Sequence, residues 1–141
     1  MIEQTLSKHR HIALDFDDCL LDGPHSRLLT DYMAAHSEKK FSIITNRPAR
    51  CKRDTIAVAN GLILRREMPH HFQFAHIILS PDEDLCGDTV DHHFKGKAAV
   101  AIGATILVDD DIEHRDGCIA NAIAFLHLPC ESSKAIKVGL F

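Results

Sequence analysis

No apolar run in this 141-residue chain approaches the roughly 20 residues that a membrane-spanning helix needs, which argues against a helical membrane protein. The opening MIEQTLSKHRH also lacks the apolar core of a secretory signal, so a cytoplasmic location is expected. Cysteine is sparse and scattered: Cys19, Cys51, Cys86, Cys118 and Cys130 are odd in number and contain no CxxC pair, which argues against a zinc site, a dithiol redox motif or a disulfide framework. They read as reduced thiols. What remains is ordinary for a globular domain, with 45% hydrophobic and 26% charged residues, and the length suits one domain over residues 1–141.

Charge is unevenly spread. Residues 1–70 carry 11 Lys and Arg against 9 Asp and Glu, a net of +2, whereas residues 71–141 carry 5 against 11, a net of −6. The positive excess concentrates in RPARCKR, residues 47–53, and a local basic patch in an acidic chain suits a small or terminal phosphate better than a long nucleic-acid track; a solvated helix face is the plain alternative. Among the 11 histidines, the pairs His70-His71 and His92-His93 invite a metal reading. Adjacent side chains rarely converge on one ion without further ligands, so a structural or surface role is expected for both pairs.

The chain is organised around HIALDFDDCLL, residues 11–21. Ile12, Ala13 and Leu14 read as a buried strand over 11–15, with Asp15, Asp17 and Asp18 crowded at its end. Three carboxylates so close repel one another, and a cation would hold them ionised together; an acidic loop that solvates a strand end is the alternative. Residues 1–10 read as a polar lead-in, and Ser26 to His36, with Leu28, Leu29, Tyr32 and Met33 on one face, as an amphipathic helix. A second buried strand over 41–45 ends at Thr45. Pro48 then opens a helix from Arg50 to Ala59 that closes near Asn60-Gly61.

Thr45, Asn46 and Arg47 therefore fall between a strand's carboxyl end and a helix N-terminus, where ligands and phosphates bind in open α/β sheets; a Thr there also serves as a simple cap. Residues 62–75 show no clear period. Ala75 to Leu79 reads as a strand, Asp82 to Asp91 as an acidic loop, and His92 to Ile102 as a helix closed by Gly103. Thr105 to Val108 is a buried strand delivering Asp109, Asp110 and Asp111, followed by a helix over 112–121 and a strand over 122–126. The tail from Cys130 to Phe141 shows no chemistry. This βαβ rhythm predicts a doubly wound, Rossmann-like, three-layer α/β fold whose parallel sheet is covered by helices on both faces.

The four segments ALDFDD, IITNR, a helix-borne lysine and ILVDDD, in that order over residues 11 to about 128, resemble the haloacid dehalogenase-like superfamily of phosphohydrolases. The resemblance implies that Asp15 is the nucleophile, Asp17 the general acid/base, Thr45 a phosphoryl ligand and Lys95 the cation that neutralises both. It further implies Mg²⁺ held by Asp15, the backbone carbonyl of Asp17 and Asp109, with Asp110 as second ligand or support. Asn46 and Arg47 would contact substrate. An Arg two residues after the Thr is similar to branches acting on nucleotides and polynucleotide ends. The family's first motif commonly continues Gly-Thr where this chain has Asp18-Cys19, which alters the turn beside the nucleophile pair.

There is room for only one helix between Asp18 and Thr45, and the stretch from Arg47 to Lys95 is mostly used by a helix and a strand. A capless member is implied, whose open site suits a bulky or polymeric phosphorylated substrate or a homo-oligomer in which a neighbouring subunit acts as lid. Lys97 competes with Lys95; residues two apart on a helix point to opposite sides, and the fourteen residues from Lys95 to Asp109 favour Lys95. A phosphoacceptor receiver domain is a contrary reading, but its motif order runs acidic pair, acceptor Asp, Thr, Lys. A non-catalytic binding module of the same fold is the other alternative.

Overall fold

A computed structural model of the chain describes residues 1–81, 91–130 and 138–141. Residues 82–90 of the acidic loop expected from Asp82 to Asp91, and residues 131–137 of the tail from Cys130 to Phe141, lie outside the described residues. Among the described residues, strands and helices mostly alternate along the chain and build a six-stranded sheet. Strand β1 (His11–Leu14), β2 (Lys40–Pro48), β3 (Ile77–Ser80), β4 (Ile106–Asp109), β5 (Ala124–His127) and β6 (Gly139–Leu140) lie in the spatial order β3-β2-β1-β4-β5-β6. All neighbours are parallel except β5 and β6.

The antiparallel edge departs from the all-parallel expectation. Phe125 and Phe141 exchange both backbone hydrogen bonds, at 2.8 and 2.9 Å, so residues without a periodic signal still complete an edge by main-chain pairing. Strand order reverses direction between β1 and β4, and that is where an open sheet offers a crevice at its carboxyl edge.

Helices cover both faces, because strand side chains alternate. Ile12, Leu14, Ile43, Ile106 and Val108 join one core with α1 (Ile2–Ser7), α2 (Ser26–Ala35) and α3 (Lys52–Arg65) through Leu6, Leu29, Met33, Ala59 and Leu62. Ala13, Ile44, Leu107 and Phe125 join the other, with α4 (Phe94–Ile102) and α5 (Arg115–Ala120) through Ala99 and Cys118. No helix among the described residues is long and apolar enough to cross a membrane.

Several boundaries move. Residues 2–7 of the polar lead-in form α1, whose isolated periodicity is too short to register but whose Leu6 is buried against the sheet. Helix α3 runs through Asn60-Gly61 instead of closing there: Gly61 faces open space, and Leu62 one residue on is buried, so packing carries the helix past its weakest residue. A 3₁₀ turn at Ala49–Cys51 precedes it, with Pro48 as the extended residue before the turn. Strands β3, β4 and β5 each start one or two residues later than expected, and the helix over 112–121 divides into a 3₁₀ turn at Ile112–His114 and α5.

Two glycines decide how α4 meets α5. A Cβ on Gly96 would lie 2.3 Å from the Gly117 carbonyl oxygen, and one on Gly117 would lie 2.7 Å from the His92 carbonyl oxygen. Only glycine permits this backbone contact. Helix α4 ends at Gly103, φ +82°, where Ala104 N donates to Ala99 O and Gly103 N to Val100 O in a Schellman arrangement. In chemical denaturation, Gly96→Ala is expected to cost about 1–3 kcal/mol by overpacking. Gly61→Ala, in open space mid-helix, is expected to stabilise by about 0.5–1 kcal/mol. Equal effects would contradict the close approach of α4 and α5.

Candidate active site

Leu14 pairs with Val108 across β1 and β4, so the next residues, Asp15 and Asp109, leave adjacent strand ends together. They follow Ala13 and Leu107 by two residues and therefore point to the same face as those side chains, the face covered by α4. On α4, Lys95 stands one turn before the buried Ala99 and shares its inward stripe, whereas Lys97 is exposed. Lys95 Nζ donates to Asp15 Oδ1 at 2.6 Å and to Asp109 Oδ2 at 2.7 Å. All three side chains are buried.

The electrostatics of this trio are unequal. Burial works against the Lys95 ammonium, but Asp109 and Asp15 outweigh it and push its pKa above the ordinary 10.5. Burial also opposes the charge on Asp109, yet Lys95, assisted by His114, holds that carboxyl below the ordinary carboxylate range. Asp15 goes the other way: burial is the largest cause, and the Asp109 charge adds to it, so its carboxyl is raised although Lys95 pulls it down. Half-buried Asp110 is raised as well, first by burial.

One ammonium thus pairs with two carboxylates, and a third, Asp110, stands beside them without it. Oxygen atoms of Asp15, Asp109 and Asp110 lie within 4.8 Å of one another, and an all-carboxylate donor set with excess negative charge fits a hard divalent cation such as Mg²⁺. The described sequence neighbours serve other ends. Asp111 N donates to Asp109 Oδ1 at 2.9 Å, and Asp111 Oδ1 accepts from Glu113 N to start the 3₁₀ turn. Asp18, Asp110 and Cys130 form a second, more exposed group with ligand atoms equally close.

Phe16 separates Asp15 from Asp17 and is fully buried, which anchors the loop and turns both aspartates away from that core. Leu21 N to Phe16 O, 2.8 Å, and Ser26 Oγ to Leu20 O, 2.6 Å, tighten the same turn. Asp18 has φ +58°, the left-handed region that favours glycine, and a short polar side chain is among the few that accept this backbone. Cys19 beside it is buried, and burial followed by the charge of Asp15 pushes its thiol up, so it does not supply a thiolate.

Strand β2 continues past Thr45 to Pro48, and there the expected boundary fails for a physical reason. Its register against β3 runs Thr45 with Leu79 and then Pro48 with Ser80, so Asn46 and Arg47 form a bulge without partners in that ladder. Bulges re-aim side chains, and here Thr45, Asn46 and Arg47 all line the cleft with Asp15, Lys95 and Asp109. Arg47 donates from Nε and Nη2 to the two oxygens of Asp17 at 2.9 and 2.8 Å, and its guanidinium lies 5.0 Å from the Phe16 ring centroid. The Asp17 carboxylate is half exposed and turned to Arg47 rather than into the carboxylate trio. The described basic residues of the 47–53 run besides Arg47, namely Arg50, Lys52 and Arg53, are exposed on the 3₁₀ turn and the first turn of α3.

His114 belongs to the cleft and carries no motif signal. It is wholly buried, its Nε2 lies 3.1 Å from Asn46 Nδ2, and burial, then Lys95, pushes its pKa down. Only its spacing after Asp110, one 3₁₀ turn, hints that it returns to the site. His92 pairs with Glu113 at 3.2 Å and packs its ring 5.6 Å from that of His114, while His70 and His71 contact each other by ring edge.

The cleft has a volume of about 320 Å³. A larger one, about 830 Å³, lies at the opposite edge of the sheet between Lys8, Arg10, Lys39 and Lys40, but it holds no carboxylate cluster. Its cations sit where α1, α2 and α4 end, near carbonyl-rich termini, and Lys39 Nζ donates to the carbonyls of Ser7 and His9. The chain matches no model of a known family, and no curated protein matches it.

Removing the buried ammonium leaves two buried carboxylates unpaired, so Lys95→Met is expected to destabilise by about 3–5 kcal/mol, against under about 0.5 kcal/mol for Lys97→Ala. The raised Lys95 pKa also sets a pH slope. Above 10.5 the unfolded chain releases this proton while the folded chain keeps it. Stability from this group is therefore complete below 10.5 and falls by about 1.4 kcal/mol per pH unit above it. Unfolding in EDTA between pH 9 and 11.5 is expected to show that slope in wild type and to lack its Lys95 share in Lys95→Met.

Proposed function

We propose that this chain is a capless haloacid dehalogenase-like phosphomonoesterase that uses Mg²⁺ and an aspartyl-phosphate intermediate. The observation that carries the reading is the Lys95 ammonium bridging Asp15 and Asp109 at the carboxyl edge, with Thr45 in the same cleft. A phosphoryl group bound there meets a carboxylate nucleophile, a cation that screens its oxygens and a hydroxyl donor.

In this mechanism Lys95 fixes one oxygen of Asp15 and the other attacks phosphorus. The ester P–O bond breaks as the O–P bond to Asp15 forms, and Asp17 gives its proton to the leaving oxygen. Asp17 then takes a proton from water, which attacks the aspartyl-phosphate and frees inorganic phosphate. Asp15, Asp109, Asp110 and the backbone carbonyl of Asp17 would hold Mg²⁺, which would supply charge neutralisation at the transferring group. Arg47 holds the ionised Asp17 through its two-point contact, gives up one of those oxygens when Asp17 carries the proton for the leaving group, and adds a second cation to the cleft.

The open cleft and the basic residues 47–53 beside it suit a terminal phosphate on a bulky body, such as a nucleotide or nucleic-acid end. The free thiols of Cys19, Cys51, Cys118 and Cys130 accord with work in the reducing cytoplasm.

Hydrolysis of an aryl phosphate is expected in Mg²⁺, to vanish in EDTA and to return on adding Mg²⁺; turnover indifferent to chelation would sink the metal-assisted mechanism. Asp15→Asn is expected to lower kcat by at least about 10⁴-fold while the circular dichroism of the native fold is retained, and Asp17→Asn by about 10²- to 10⁴-fold. A freshly prepared Asp15→Asn protein that turns over normally would remove Asp15 as nucleophile.

A further inference from the structure

The cavity of about 830 Å³ at the amino edge of the sheet plays no part in the chemistry above. Its wall comes from three strand starts: residues 7–11 lead into β1, Lys39 and Lys40 into β2, and Gly103 stands before β4. Hydrogen bonds fasten that rim. Lys40 N donates to Arg10 O at 2.9 Å and Thr105 N to His11 O at 3.1 Å, while His9 Nδ1 lies 2.7 Å from Thr105 Oγ1. His11, which lines the cavity, is buried with its Nε2 2.7 Å from Ser42 Oγ. The volume is that of a small-molecule site, for which about 300–1,000 Å³ is usual.

Four cations, Lys8, Arg10, Lys39 and Lys40, line the cavity against the one carboxylate of Glu38, a net of +3 with the histidines neutral. Outside it the chain carries 12 Lys and Arg against 19 Asp and Glu, a net of −7. Three helices end nearby, and capping their carbonyls is the simplest use for such cations, but other donors already serve those ends. Lys39 Nζ takes Ser7 O and His9 O, Lys39 N donates to His36 O after α2, and Gly103 N and Ala104 N close α4. Lys8, Arg10 and Lys40 are exposed, and their charged ends have no hydrogen-bond or ion-pair partner among the described residues. The histidines register the crowding. Burial, then the charges of Lys39 and Lys8, pull the His9 pKa below its ordinary 6.5, and burial, His76 and Lys40 do the same to His11.

We propose that this cavity is a binding site for a small polyphosphate, two or more linked phosphates either free or as the tail of a nucleotide. A single phosphate carries about −2 and leaves the cavity positive, whereas two linked phosphates, about −3 together, balance it. A long nucleic acid is disfavoured, because it would run from the cavity onto a surface whose remaining charge is negative. The proposal does not depend on the phosphatase reading.

The test is calorimetric titration of the full chain with sodium pyrophosphate in EDTA, at fixed ionic strength, with sodium sulfate for comparison. Pyrophosphate is expected to bind at least about tenfold more tightly than sulfate, and Arg10→Gln and Lys40→Gln are each expected to weaken it about tenfold, as for one charged hydrogen bond. Both side chains are exposed and unpartnered, so both variants are expected to keep the native circular dichroism. Absent binding, equal affinity for the two anions, or unweakened binding in both variants overturns the proposal.

Amide chemical shifts locate the bound anion. The largest changes are expected at Lys8 to His11, Lys40 and Gly103; changes confined to Thr45 to Arg47 put pyrophosphate in the active-site cleft and overturn the assignment. ADP in place of pyrophosphate tells the two sources apart, since tighter binding makes the ligand a nucleotide and equal or weaker binding a free polyphosphate. A single-stranded oligonucleotide that outcompetes both overturns the restriction to small ligands.

Discussion

A single buried ammonium between two buried carboxylates is the constraint on which the rest of the site depends. Charges taken out of water repay their desolvation only when partners are close and complete, and Lys95 reaches Asp15 and Asp109 at 2.6 and 2.7 Å. Those distances require α4 to lie tight on the sheet. The Gly96–Gly117 contact brings α4 and α5 together at the point where Lys95 leaves its helix, and the left-handed Gly103 turns the chain straight into β4. Helix packing and charge pairing are here the same feature seen from two sides.

The trio leaves negative charge over. Asp109 is held ionised by Lys95 while Asp15 and Asp110 are pushed toward the protonated form by burial, an arrangement that a divalent cation would relieve by stabilising all three as carboxylates. The same excess explains why the cleft needs Arg47. Its guanidinium is placed by the two oxygens of Asp17, the face of Phe16 and Thr55 Oγ1 at 3.5 Å, so its orientation does not depend on an exposed ion pair alone.

Much of this was legible in the chain. Short runs rich in apolar and β-branched residues, IAL, SII and TILV, announce buried parallel strands, and their spacing with amphipathic segments between them implies helices on both sides of a sheet. The separation of Lys95 from Lys97 follows from the helical period. Local signals misled where packing overrules propensity. Asn60-Gly61 reads as a stop, yet Leu62 is buried and the helix continues; residues 2–7 read as polar, yet Leu6 has a place in the core.

By itself, then, the sequence determined the class of fold, the strand ends that carry Asp15, Thr45 and Asp109, and the lysine whose spacing can reach them, because these depend on periodicities of two and 3.6 that are written locally. Only the tertiary structure decided that Asp17 faces Arg47, that Asn46 and Arg47 sit in a bulge, that β6 closes an edge antiparallel and that His114 returns to the cleft. Each of these joins residues far apart in the chain through register or burial, and a pairing across such distances is set by which surfaces meet, which no local pattern encodes.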